Sequence, residues 1–157
     1  MLPEPKLVVD AFDRAVDTGD VAALDAVCHA DIITHSLSAS MPQGIDGVRR
    51  FVTNRKATGG VGQWDEVVTV AEGEYVVQFG TRRFDWPGGP LRGFDVPKGP
   101  FRRDCAFMFR VREGLITDRW AIRDDLAMMV QLGAVAAPRP EQIMDGTVTS
   151  RREHPFT

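Results

Sequence analysis

Cysteine, histidine and surplus charge of either sign are all scarce in this chain of 157 residues. Its two cysteines, Cys28 and Cys105, stand far apart and suit neither a disulfide framework nor a zinc site, so a reducing cytoplasm is the expected compartment. The three histidines, His29, His35 and His154, lack the paired spacing of metal ligands, and no metal or other cofactor is expected. Nineteen basic against twenty-two acidic side chains leave a formal charge of -3. A nucleic-acid binder needs excess cation to displace counterions from phosphate, so nucleic acid is not an expected partner. No uncharged apolar run approaches the roughly 18 residues of a membrane span. The opening MLPEPKLVVDAFDRAVD places acids and prolines where a signal peptide carries bases and then an apolar core. The glycines of GGVG (59–62) are not followed by the Lys-Ser/Thr of a phosphate loop, and no Gly-x-Ser-x-Gly elbow exists.

What remains is the composition of one packed domain, with 43% hydrophobic and 26% charged residues. In KLVVDAFDRAVDTGD, Val8, Ala11, Phe12, Ala15 and Val16 recur at three- and four-residue spacing, which predicts a helix with one apolar face. Gly19 stops it, and Asp20 suits the cap of a second short helix through Ala22, Leu24, Val27 and Cys28. DIITHSL (31–37) reads as a strand, and a third helix is expected over 45–57. From Trp64 the period changes to two. WDEVVTVAEGEYVVQFGTRRFDW predicts a hairpin about Glu72-Gly73, and FRRDCAFMFRV with LITDRWAIRD a second about Glu113-Gly114. The intervening PGGPLRGFDVPKGP (87–100) reads as irregular, a gate over a pocket mouth. A last helix, DLAMMVQLG, ends at Gly133, and residues 135–157 read as a tail beyond a domain of residues 1–134. This order is α+β, with N-terminal helices gathered on the concave face of a strongly curved antiparallel sheet. Apolar side chains on both faces of the strands point to a homodimer that buries the outer face.

Several residues are candidates for chemistry. His35, among Ile32, Ile33 and Leu37, suits either a pocket acid/base or a core histidine bonded to backbone, its imidazole titrating near neutrality. In FRRDCAFMFRV one face carries Phe101, Arg103, Cys105, Phe107 and Phe109, the other Arg102, Asp104, Ala106, Met108 and Arg110. The paired strand sets Arg119, Ala121 and Arg123 against Trp120, Ile122 and Asp124. Asp124 and Asp125 precede the last helix, so either suits an N-cap as well as a catalytic role. The catalytic candidates are therefore His35, Asp124, Asp104, Arg103 and Arg123. The concentration of rings on the strands suits a cavity for a flat ligand, with Phe51, Trp64, Tyr75, Phe84, Trp86, Phe107 and Trp120 as candidate walls.

Over residues 5–134 the chain resembles the SnoaL-like polyketide cyclases of the nuclear-transport-factor-2-like superfamily. Four segments carry the likeness: FDRAVDTGDVAALDAVCHADIITHS, GIDGVRRFV, FRVREGLITDRWAIRD and DLAMMVQLG. The resemblance implies a cone-shaped α+β barrel, often dimeric, with a closed apolar pocket and no cofactor. It implies ring closure of a polyketide-like small molecule by intramolecular aldol chemistry, as in antibiotic biosynthesis. Epoxide opening, assistance to hydroxylation and simple ligand binding are the alternatives found on this fold. The Trp-x-x-x-Asp aspartate of the family matches Asp124, and its histidine in many broader relatives matches His35. Three polar family positions are altered: the acid/base aspartate falls at Ala121, the pocket asparagine at Thr34 and the pocket histidine at Phe107.

Overall fold

The computed structural model describes residues 1–36, 41–55, 60, 62–91, 93–137 and 139. Helix α1 spans Pro5–Thr18, with proline in its first turn and Val8, Val9, Phe12, Ala15 and Val16 buried. A missing proline N–H costs nothing there, because the first helical donors have no partner within the helix. The expected second helix is a 3-10 turn over Ala22–Ala26, anchored where Asp20 Oδ1 accepts from the Ala23 amide at 3.1 Å. Cys28 belongs instead to strand β1, Cys28–Thr34, because it pairs with Ile116 and is buried. Helix α2 covers Ile45–Asn54. The last part of its expected span, together with most of the tail, lies outside the described residues.

Strands β2 (Gln63–Glu72) and β3 (Tyr75–Trp86) form the first hairpin. The glycine- and proline-rich stretch is not irregular. It folds into a small hairpin of β4 (Gly89–Leu91) and β5 (Phe94–Val96). This hairpin is anchored: Val96 is fully buried and its carbonyl accepts from Trp86 Nε1 at 3.2 Å. Strands β6 (Gly99–Arg112) and β7 (Leu115–Arg123) form the last hairpin, and α3 covers Asp125–Gln131. Glu113 and Gly114 both have positive φ, 50° and 79°. Two such residues make the type I′ turn whose twist matches a tight hairpin.

The five long strands pair in the order β1-β7-β6-β3-β2. β1 lies parallel to β7 at one edge, so the sheet is mixed, whereas hairpin signals alone predict antiparallel pairing. Turn residues report only on strands adjacent in sequence, and β1 meets β7 across most of the chain. The result is an α+β fold with three helices and a mixed five-stranded sheet among the described residues.

Side chains alternate across the sheet. Phe101, Cys105, Phe107, Phe109 and Val111 of β6 are buried, while Arg102 and Asp104 are exposed. The buried face packs against α1 and α2 in one core, where Phe12 meets Phe109 edge-on at 5.5 Å. A second core joins Phe84, Trp86, Val96 and Phe101 to Met128 and Met129 of α3. No helix among the described residues is long and apolar enough to cross a membrane.

Candidate functional site

On the helix-facing side of the sheet, an arginine row crosses the rings. Arg82 pairs in register with both Arg103 of β6 and Trp64 of β2, so all three share one face. Only 7% of Arg82 is exposed, and its guanidinium lies 4.1 Å from the centre of the Trp64 ring and 5.2 Å from that of Phe107. Phe109 pairs with Arg119 of β7, which brings a second guanidinium to the same face. It stands 5.2–6.0 Å from the ring centres of Phe107, Phe51, Phe109 and Phe12. Ring faces attract a cation, but they replace only part of its lost hydration. Burial accordingly lowers Arg82 from its ordinary value and pushes Arg119 down to about 10. Arg119, at about 10, stays charged at neutral pH.

Facing these cations, α1 carries Asp13 and Asp17, one helical turn apart and therefore on one side. Gln78 of β3, only 4% exposed, donates through Nε2 to Asp13 Oδ2 at 2.6 Å. Burial raises Asp13 above its ordinary value; the Gln78 bond and the fields of Arg82 and Arg119 oppose it without overcoming it. Burial raises Asp17 as well, against Arg82 and Arg55. Arg119 Nε, Gln78 Oε1 and Thr34 Oγ1 are among the buried polar atoms of this region without a hydrogen-bond partner. Buried polar atoms are nearly always satisfied, so these atoms keep unused hydrogen-bonding capacity on the inner face.

A cleft of about 960 Å³ opens beside this cluster, where β3 ends and β6 begins. Trp64, Asp17, Phe84, Phe101, Arg102 and Gln131 are among its walls. The cleft reaches this cluster at two of its walls, Trp64 under Arg82 and Asp17 on α1.

The sequence-derived candidates separate into different places. Arg103 and Arg123 lie on the helix-facing side, where Arg103 Nη1 donates to Asp125 Oδ1 at 2.6 Å and clamps α3 to β6. Asp124 is the N-cap of α3, exposed, its Oδ1 accepting from the Ala127 amide at 2.9 Å. Asp104 faces the opposite side and accepts from Thr81 Oγ1 at 2.7 Å. His35 does not enter the interior. Alternation turns Thr34 inward and sends the next side chain outward, where the His35 ring stacks on Trp120 at 4.3 Å and Nε2 lies 3.0 Å from Asp118 Oδ1. That side chain is 37% exposed, and its bond holds Asp118 below the usual carboxylate range. Of the candidate walls, Phe51, Trp64 and Phe107 surround the arginines, and Phe84 and Trp86 belong to the second core. Tyr75 and Trp120 belong to the opposite face.

Sequence reasoning passed over Asp13, Gln78, Arg82 and the polar role of Arg119. A signal for Asp13 existed: it adjoins Phe12 and lies four residues after Val9, beside the apolar stripe. Among the described residues no group of three or more His, Cys, Asp or Glu could hold a metal ion.

A helix-covered mixed sheet with charged groups on its ring-lined inner face defines a class of small α+β domains built around an interior site. Within that class the match is specific: residues 8–119 fit the SnoaL-like domain, and the chain belongs to that family. The fold is also that of TsrD from Streptomyces laurentii, with a TM-score of 0.67, 24% identity, and 83% of this chain and 95% of that one covered. A SnoaL-like polyketide cyclase from Agrobacterium tumefaciens superposes with a TM-score of 0.71 at 12% identity, covering 84% of this chain and 100% of that one. IdmH from Streptomyces antibioticus gives 0.62 at 23% identity, covering 83% and 99%. A search of curated proteins finds no match.

Proposed function

We propose that this chain is a cofactor-independent enzyme acting on a polycyclic or polyketide-like small molecule, by intramolecular aldol-type cyclisation or a related proton transfer. Arg119 is the observation that carries this reading. A guanidinium among four aromatic rings, with a buried Nε lacking a partner, is built to meet both the face of a flat ligand and negative charge on its oxygen. Fixed donors in a water-poor site stabilise charge as it develops, which is what enolate formation requires. Family membership supports the same substrate class.

The test uses 2-tetralone, a bicyclic ketone with acidic hydrogens beside its carbonyl. In deuterated buffer the protein is expected to exchange those hydrogens faster than buffer alone, followed by proton NMR. Exchange no faster than buffer alone overturns the reading.

The opposite face of the sheet supports an assembly of two copies. Val68, Val70, Phe79 and Ile122 are all more than half exposed there, an apolar patch of the kind that marks an interaction surface. Wild-type protein is expected to sediment at twice the chain mass. Phe79→Lys, at a residue 58% exposed, should give the single-chain mass without loss of folded structure. A wild type that sediments as a single chain at micromolar concentration counts against the dimer.

A further inference from the structure

We infer that Asp13, delivered from α1, is the catalytic acid/base of the interior site, moving the substrate proton while Arg119 receives the enolate oxygen. This rests on the proton-transfer reading above and assigns the residue that performs it.

The geometry supplies both halves of an enolisation. Asp13 is on the side of α1 that faces β3 and β7, and its Oδ2 is fixed by the Gln78 amide at 2.6 Å. Gln78 is itself buried in the middle of β3, paired with Phe107, so the carboxyl is held by rigid structure and not by a loop. Its charged surroundings come from every packed element. Asp17 stands on its own helix, Arg82 on β3 and Arg119 on β7. β6 brings Phe107 and Phe109, with Cys105 and Arg103 further along the same face. Burial outweighs the two cations and leaves the carboxyl a stronger base than an exposed aspartate. No other carboxylate described here combines a buried amide anchor with two arginines that are themselves desolvated.

The step balances without a co-reactant. Asp13 carboxylate takes a proton from a carbon beside a carbonyl, and the C–H electron pair becomes an enolate whose oxygen charge faces Arg119. The enolate carbon attacks a second carbonyl of the same molecule and forms the new C–C bond. The resulting alkoxide takes the proton back from Asp13, which returns to carboxylate. Arg119 keeps its charge throughout, since a pKa of about 10 lies well above neutrality.

The test combines exchange on 2-tetralone with binding of 2-naphthol, a flat enol analogue that needs no proton abstraction. Asp13→Asn is expected to lower exchange about 100-fold or more, the usual scale for a lost general base. Its 2-naphthol affinity should stay within about threefold of wild type. Asp13→Glu should restore part of the exchange, with a displaced pH profile. In wild type the exchange rate should rise with pH through a midpoint above the ordinary aspartate range of about 3.9. Folding is expected to survive the change. A carboxyl whose folded pKa is raised contributes stability below its unfolded pKa and loses it as pH rises, so removing the charge should leave the neutral-pH melting temperature equal or higher. Asp13→Asn exchanging at the wild-type rate overturns this inference and leaves the proposed function standing. Wild-type protein that binds 2-naphthol but does not exchange 2-tetralone overturns both. Carbon-13 NMR of the wild-type Asp13 carboxyl, titrating within the ordinary aspartate range, also overturns the inference and needs no variant.

Discussion

Replacing Arg119 with methionine is expected to reduce 2-tetralone exchange by about 10²–10³-fold, the scale seen when a preorganised oxyanion donor is removed. Methionine keeps much of the arginine volume and its contact with the rings of Phe12, Phe51, Phe107 and Phe109. The charge and donors are what disappear. Binding of 2-naphthol should weaken too, because Arg119 meets the oxygen in the ground state as well. Stability should move the other way. No carboxylate among the described residues stands within ion-pair distance of Arg119, and burial, aided by the like charges of Arg123 and Arg82, outweighs the field of Asp13 and drives its pKa down to about 10. A desolvated cation without a carboxylate partner costs folding energy that an apolar side chain does not. The melting temperature of Arg119→Met at neutral pH should therefore equal or exceed that of wild type. Arg119→Lys is not expected to rescue exchange, since a compact ammonium cannot lie flat against several rings. Exchange in Arg119→Met within twofold of wild type removes this residue from the site.

Gly80→Ala is expected to be the most destabilising small substitution in the sheet. A Cβ at Gly80 would sit 1.9 Å from the Glu66 carbonyl oxygen and 2.9 Å from Val67 Cα. Both obstacles are backbone, so no side chain can rotate away. The close approach arises where β2 slips register between Trp64 and Glu66, opposite Thr81 and Arg82. Such a bulge re-aims a strand, and here it accompanies the turn of Trp64 under Arg82. The added methyl should cost about 3 kcal/mol or more, as overpacking against fixed structure does. For a domain of this size that lowers the melting temperature by about 10 °C. Because the strain falls beside Trp64, 2-naphthol binding should weaken in whatever fraction remains folded. Thermal unfolding followed by circular dichroism decides it; a shift under about 2 °C shows that β2 can yield.

Much of the site depended on facts about pairing that no local pattern carries. Strand parity in FRRDCAFMFRV correctly separates Phe107 and Phe109 from Met108 and Arg110. It cannot say that Arg119 comes to rest beside Phe109, or that Arg82 covers Trp64, because those contacts follow from register between strands and from the bulge in β2. His35 shows the same limit. Apolar neighbours suggest an interior position, but β1 is half-buried and alternation sends His35 to the face of Trp120. Asp124 shows the opposite case, since an aspartate just before a helix reads equally as cap or catalyst, and the 2.9 Å bond to the Ala127 amide shows the cap.

Local patterns along the chain set most of the elements and their class. Three- and four-residue spacing defined α1 and α2, alternation and glycine turns defined the two long hairpins, and the segments quoted above defined the family. These are local properties, fixed by backbone sterics and by which side chains share a face. Tertiary structure decided which face of each strand meets the helices, that β1 adds parallel to β7, and that Asp13, Gln78, Arg82 and Arg119 converge. Those four residues are scattered from position 13 to 119. Their charges and hydrogen bonds acquire unusual strength only when α1 closes over the sheet and removes water between them, and no stretch of sequence records that desolvation.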